Sequence, residues 1–258
     1  MAMASSLFDL QGKVVLITGA GGGIGAAIAR ETARCGGRVL VADRNVDAIQ
    51  DLARTLADAG GAPCVAALRV QDRKSCLEVA RGAVNRFSRI DVLINCAGVN
   101  TRMRPEAYSE EVWDDIIDIN LKGTFNMCQA VFPVMEAQGG GKIVNIGSIL
   151  SLVSNAMTAP YSASKGGVLQ LTRALACAWA GQRINVNAIL PGWIDTPLSR
   201  QARVDIPGHA ERVVETTPMR RWGTPEDIVG AALFLSSAAA DFVTGASLVV
   251  DGGVTAHV

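Results

Sequence analysis

The sequence is short of the residues that many binding chemistries require. Its 258 residues include two histidines, His209 and His257, and six cysteines with no C-x-x-C pair. Metal-ligand spacing is therefore absent, and no metal is expected. Scattered cysteines in a chain of this size fit a reducing compartment. Lysine plus arginine equals aspartate plus glutamate, 24 of each, which argues against a nucleic-acid or membrane-surface partner. No apolar run approaches the roughly 20 residues of a membrane span. The opening "MAMASSLFDLQGK" lacks a basic stretch followed by an apolar one, so no signal peptide is expected and a cytoplasmic protein is. No linker-like tract, repeat or low-complexity segment divides the chain, so one domain over 1–258 is expected.

What is present is alternation. Short apolar, β-branched runs at 13–18, 38–43, 63–70, 91–98, 141–148, 183–192 and 246–253 read as strands. Helical patterns fall between them at 23–36, 46–61, 73–88, 109–138, 160–181 and 225–236. The strands are apolar on both faces, as buried parallel strands are. Strict alternation predicts an α/β fold: a doubly wound, seven-stranded parallel sheet with helices on both faces. Segment 193–217 breaks the rhythm after a strand's carboxyl end, where such sheets bind ligands. It reads as a lid over a site or as a surface excursion, and its length favours the lid.

"TGAGGGIG" (18–25) joins the first strand to the first helix. Gly19, Gly23 and Gly25 let backbone approach a diphosphate, and the helix start offers free N–H groups to an anion. Asp43 ends the second strand. A carboxylate there accepts both ribose hydroxyls and repels a 2′-phosphate, so NAD is the expected cofactor. Arg44 stands either as a phosphate or adenine partner or as a solvated helix-start residue.

In "APYSASKGG" (159–167), Tyr161 and Lys165 are i and i+4 and share a helix face. Pro160 suits that helix's first turn. A tyrosine with a pKa of about 10 is a poor base near neutrality. A cation about 4 Å away is worth about 4 kcal/mol at an effective dielectric of about 20, or about 3 pKa units. Lys165 is thus expected to make the phenol usable. Gly166 and Gly167 read as packing residues.

Together these stretches resemble the short-chain dehydrogenase/reductase family over nearly the whole chain. The matching landmarks are "TGAGGGIG", "NCAG" (95–98, where N-N-A-G is usual), Asn120 in "IDINLKGTFN", Ser148, Tyr161-x-x-x-Lys165 and "PGWIDTP" (191–197). The resemblance implies a catalytic set of Asn120, Ser148, Tyr161 and Lys165. Ser148 would bond the substrate oxygen, Lys165 the nicotinamide ribose, and Asn120 would act on Lys165 through a water. It also implies cofactor contacts from Ile24, Asn95, Ala97, Gly98, Pro191, Gly192, Ile194 and Thr196. One departure is "RVQD" (69–72) where D-V-x-D is usual, which leaves Val70 to offer its backbone to adenine.

"NIGSILS", "APYSASKGGV" and "RRWGTPEDIVG" resemble sugar-acid and polyol dehydrogenases of that family. A small-molecule alcohol or ketone is the expected partner. Arg102 and Arg104 suit a carboxylate by bidentate pairing, or pair with Glu106 and Glu110 instead. Trp193 closes over the substrate or anchors the lid. Two other readings stand beside the NAD-dependent dehydrogenase: an NADP-dependent reductase of carrier-bound ketoacyl groups, and a non-catalytic NAD-binding regulator. The resemblance further implies a homotetramer, and the apolar segment 231–250 suits an interface or a core.

Overall fold

The computed structural model describes residues 7–58, 62–206 and 208–257. The glycines expected to close the second helix, Gly60 and Gly61, and the first residues of the opening segment lie outside them. Seven parallel strands form one sheet in the order β3-β2-β1-β4-β5-β6-β7. They are β1 Val14–Thr18, β2 Arg38–Asp43, β3 Cys64–Ala67, β4 Val92–Asn95, β5 Gly141–Ile146, β6 Ile184–Pro191 and β7 Ser247–Val250. Alternate residues of the central strands feed opposite cores. Val14 and Leu16 pack with the helices on one face, Val15 and Ile17 with those on the other. Burial on both faces is why the strands read as unbroken apolar runs.

The first face is covered by α3 Arg73–Phe87, by the helical stretch α4 Glu110–Ile117 and α5 Gly123–Ala137, and by α6 Ala159–Trp179. The second carries α1 Gly23–Arg34, α2 Val46–Asp58 and α9 Pro225–Ser236. The pattern at 109–138 reads as one helix; the structure widens it to a π turn at Asp118–Lys122 between α4 and α5. Leu121 of that turn explains Gly167, where a methyl group would stand 2.7 Å from the Leu121 side chain. A methyl group at Gly166 would meet nothing within 4 Å, so packing within the chain does not account for it.

Strand order reverses between β1 and β4, whose last residues, Thr18 and Asn95, are in register. Parallel strands all point their carboxyl ends one way, so the loops after β1, β2, β4, β5 and β6 gather on one edge. The segment expected to be irregular there is largely helical. It folds as α7 Pro197–Asp205 and α8 His209–Thr216, two short helices laid over that edge.

Candidate active site

The gathered loops enclose a cleft of about 450 Å³. Its cofactor-facing end is built by backbone. Gly19 has φ +65°, and a methyl group on it would stand 2.5 Å from the Ala97 amide nitrogen. At Gly25 a methyl would stand 2.4 Å from the Gly19 oxygen. Thr18 Oγ1 accepts from the Cys96 and Ala97 N–H groups at 3.2 and 3.3 Å, which locks the loops after β1 and β4 together. Helix α1 starts at Gly22 with no side-chain cap and no acid in its first turn. Its free N–H groups therefore open on the cleft, an arrangement that fits a dinucleotide diphosphate.

Asp43 lines the same end. Its Oδ2 accepts from Gly21 N–H at 2.9 Å and its Oδ1 from Asn45 N–H at 2.9 Å. The carboxylate thus also braces the glycine loop, a second role the sequence reading did not include. Arg44, Gly23, Ile24, Val70, Gly98, Pro191, Gly192, Ile194 and Thr196 line the cleft as well.

Two expected contacts, those of Asn95 and Arg104, are placed differently. Asn95 is buried beneath the cleft floor, and its Nδ2 donates to Asn145 Oδ1 at 2.9 Å. Asn145 Nδ2 in turn donates to Thr172 Oγ1 at 2.9 Å, making a polar rung through the core from β4 to α6. The Val70 carbonyl is engaged inward by Asn126 Nδ2 at 2.9 Å and by the Cys76 thiol at 3.3 Å. Arg104 is outside the cleft, because its Nε donates to Glu106 Oε1 at 2.7 Å. Of the "RVQD" run, Arg69 is exposed, Asp72 caps α3 through Lys74 N–H, and Gln71 reaches the cleft wall.

At the other end, α6 and the strand end of β5 bring Ser148, Tyr161 and Lys165 together. Ser148 Oγ accepts from Leu150 N–H at 3.1 Å, which fixes its rotamer. Burial pushes the Tyr161 phenol above its ordinary pKa of 10, while the Ser148 hydrogen bond and the Arg102 charge pull it back. Arg102 therefore supplies an attraction expected from Lys165. Lys165 Nζ instead donates to the Ile146 carbonyl at 2.7 Å and lies 5.7 Å from the Tyr161 ring centre. Burial lowers the lysine pKa to about 8.

Asn120 is fully buried and does not reach the cleft wall. Its Oδ1 accepts from Val99 N–H at 2.8 Å, and its Nδ2 donates to Val99 O at 2.9 Å and Ser164 Oγ at 3.0 Å. Ser164 Oγ donates to Tyr161 O at 2.7 Å, so Asn120 braces the loop after Gly98 against the helix that carries the tyrosine. The π turn places the amide for this task. The second tyrosine, Tyr108, ties two cleft loops through its hydroxyl, which faces Thr101 O at 2.6 Å and Met157 O at 3.1 Å.

Arg102 and Trp193 line the substrate end, with Arg102 Nη1 3.5 Å from Leu198 O of the cover. Asn100 also lines it, and its buried Oδ1 has no partner within the described residues. Asn100, Gln71 and Leu198 belong to no motif or spacing that would single them out in the chain. Among the described residues no group of metal-ligating side chains occurs.

Residues 19–255 match a family model described as enoyl-(acyl carrier protein) reductase. The chain is 41% identical over 248 residues to D-threitol dehydrogenase of Mycolicibacterium smegmatis, covering 96% of this chain and 95% of that one. It is 38% identical over 246 residues to a 3-oxoacyl-[acyl-carrier-protein] reductase of Thermotoga maritima, covering 95% and 98%. Among solved structures, a gluconate 5-dehydrogenase of Burkholderia cenocepacia in complex with NADP and tartrate superposes with a TM-score of 0.94. That protein is 39% identical, with 99% of this chain and 100% of the other covered.

Proposed function

The chain belongs to the short-chain dehydrogenase/reductase family, and on that footing we propose that it moves a hydride between NAD and a secondary alcohol of a sugar acid or polyol. One observation carries the reading: Ser148, Tyr161 and Lys165 meet at one end of a cleft whose other end is a glycine loop and Asp43.

The residues divide the work. The glycine loop and the start of α1 hold the diphosphate, and Asp43 accepts the adenosine ribose hydroxyls. Gly192, Ile194 and Thr196 seat the nicotinamide end. When bound, the dinucleotide supplies the hydride acceptor. Ser148 orients the alcohol oxygen by donating to it, and Tyr161, ionised with the help of the positive nicotinamide ring that a bound dinucleotide would bring, takes the hydroxyl proton on Oη. Lys165 keeps a positive charge behind that site, since a pKa of about 8 leaves it mostly protonated near neutrality. Asn120 holds the Gly98–Val99 loop and α6 in register, and with Lys165 it flanks the route by which the proton leaves. A methyl group at Gly98 would stand 3.3 Å from Asn120 Oδ1 and 3.6 Å from Lys165 Nζ.

Tyr161→Phe should lower kcat by about a thousandfold or more and leave dinucleotide affinity within about twofold. Oxidation of gluconate, threitol and related polyols, followed at the NADH absorbance, is the assay. Undiminished turnover in the variant overturns the mechanism. A second reading, use of NADP, is favoured by Arg44 on the cleft wall beside Asp43. A 2′-phosphate there would meet the Asp43 carboxylate at close range, so the same assay should show a higher kcat/KM with NAD. A clear preference for NADP would reverse the assignment.

A cytoplasmic location is part of the reading, supported by six scattered cysteines with no C-x-x-C pair. It is assigned a homotetrameric assembly because two separate apolar faces are exposed on one chain. Trp113 and Phe125 lie on α4 and α5, Leu248 lies on the uncovered edge strand β7 and Phe242 precedes it.

A further inference from the structure

His209 opens α8 and is only 5% exposed, yet neither ring nitrogen has a hydrogen-bond partner among the described residues. Its ring meets Trp193 edge-on, with centres 5.2 Å apart and planes at 85°. It meets Trp222 in the same way at 5.9 Å and 81°. The two indoles are 6.2 Å apart, so the three rings close a triangle. Arg203 of α7 lies 3.9 Å over the Trp222 ring, and Trp222 Nε1 donates to Ala210 O at 3.2 Å. The segment after β6, the cover α7–α8 and the segment before α9 thus meet on one imidazole. Trp193 is at the same time a wall of the cleft.

We propose that His209 is the latch of the cover: its neutral ring wedges Trp193 against the substrate end of the cleft, and protonating that ring releases the wall. The proposal rests on reading the cleft as a dinucleotide and alcohol site.

The charge around the ring supports a neutral closed state. Arg102 from the loop after β4, Arg203 from α7 and Arg212 from α8 all face it with positive charge. Arg203 is itself paired with Asp195 at 3.2 Å, and Asp195 also with Arg200 at 2.9 Å, while no acid is among the charges that act on the ring. Burial, followed by these cations, holds the imidazole below its ordinary pKa of 6.5. An imidazolium with no acceptor cannot stay in such a cage. The sign follows: the open form takes up a proton near pH 6.5 and the closed form resists it. Closure is therefore unaffected above about pH 6.5, and below it weakens by up to tenfold per pH unit.

The test uses a Trp113→Phe/Trp179→Phe background, so that emission comes from Trp193 and Trp222 alone. Acrylamide quenching of the dinucleotide-free protein should rise by about twofold or more in a step below pH 6.5. In His209→Phe, whose ring fills the cage without titrating, quenching should stay flat. His209→Leu serves the same purpose should the phenyl ring overfill the site. No step in the parent, or the same step in both variants, overturns the latch. In turnover, KM for the alcohol should climb by up to tenfold per pH unit below about 6.5 in the parent and not in the variants. A KM rise that persists in both variants also overturns it. Failure to oxidise any alcohol would sink the assigned reaction and leave the quenching result standing.

Discussion

At the residue scale, the cleft contains side chains placed at a cost to the fold. Lys165 is the clearest. Its fall from 10.5 to about 8 corresponds to about 3 kcal/mol of burial cost in the charged state. Lys165→Met removes that cost but leaves the Ile146 carbonyl without its donor, worth about 1–3 kcal/mol. The variant should therefore melt no lower than the parent, and up to about 4 °C higher, while losing turnover. Because the folded pKa lies below the ordinary one, the cost is fully present below pH 8 and fades as the pH rises to 10.5. Thermal melts across that range check both points, and a fall of several degrees at pH 7 would refute the account. The Tyr161–Lys165 spacing was visible in the chain, but the source of the phenol's support was not. The contribution of Arg102 depends on a loop fold that brings residues 59 positions apart together. Asn95 and Asn145 likewise look like independent polar residues in apolar strands until the sheet pairs them.

At the element scale, the start of α1 is the part whose chemistry follows most directly from local sequence. A helix that opens at Gly22 with neither cap nor acid is a poor helix start and a good anion seat. Gly22 has extended backbone, and a methyl group on it would meet only Pro197 at 3.9 Å. Gly22→Asp should then leave the melting temperature unchanged or slightly raised, since aspartate caps helices well. It should weaken dinucleotide binding by about a hundredfold or more, because a carboxylate about 5 Å from a diphosphate charge costs about 3 kcal/mol at an effective dielectric of about 20. Isothermal titration with NAD measures the loss, and unchanged affinity would remove the diphosphate from this helix. The strand and helix order was legible throughout, because buried parallel strands leave no alternation to misread. The cover was not. Segment 193–217 carries turn residues and mixed charge, and its helices hold together through contacts such as Trp193 with His209 rather than through a periodic apolar face. The π turn was invisible for a similar reason: it is demanded by Asn120 reaching Val99, a tertiary bond.

At the scale of the whole molecule, the isolated chain leaves an edge strand and two apolar faces to water. Four copies of the 27.0 kDa chain, arranged about perpendicular twofold axes, would cover both faces of each. Light scattering should report that mass, and Phe242→Asp with Leu248→Asp should halve it. A monomeric parent would refute the assembly.

The cover itself is seated on the cofactor half of the cleft. A methyl group on Gly23 would stand 3.1 Å from the Thr196 side chain, and α7 begins at the next residue. Whatever fills the glycine loop is thus felt first at the root of α7, before anything beneath Trp193 can be. The two ligands are therefore not equivalent visitors. For the proposed reaction this predicts an ordered arrival, dinucleotide before alcohol, which product-inhibition kinetics would show and a random order would refute.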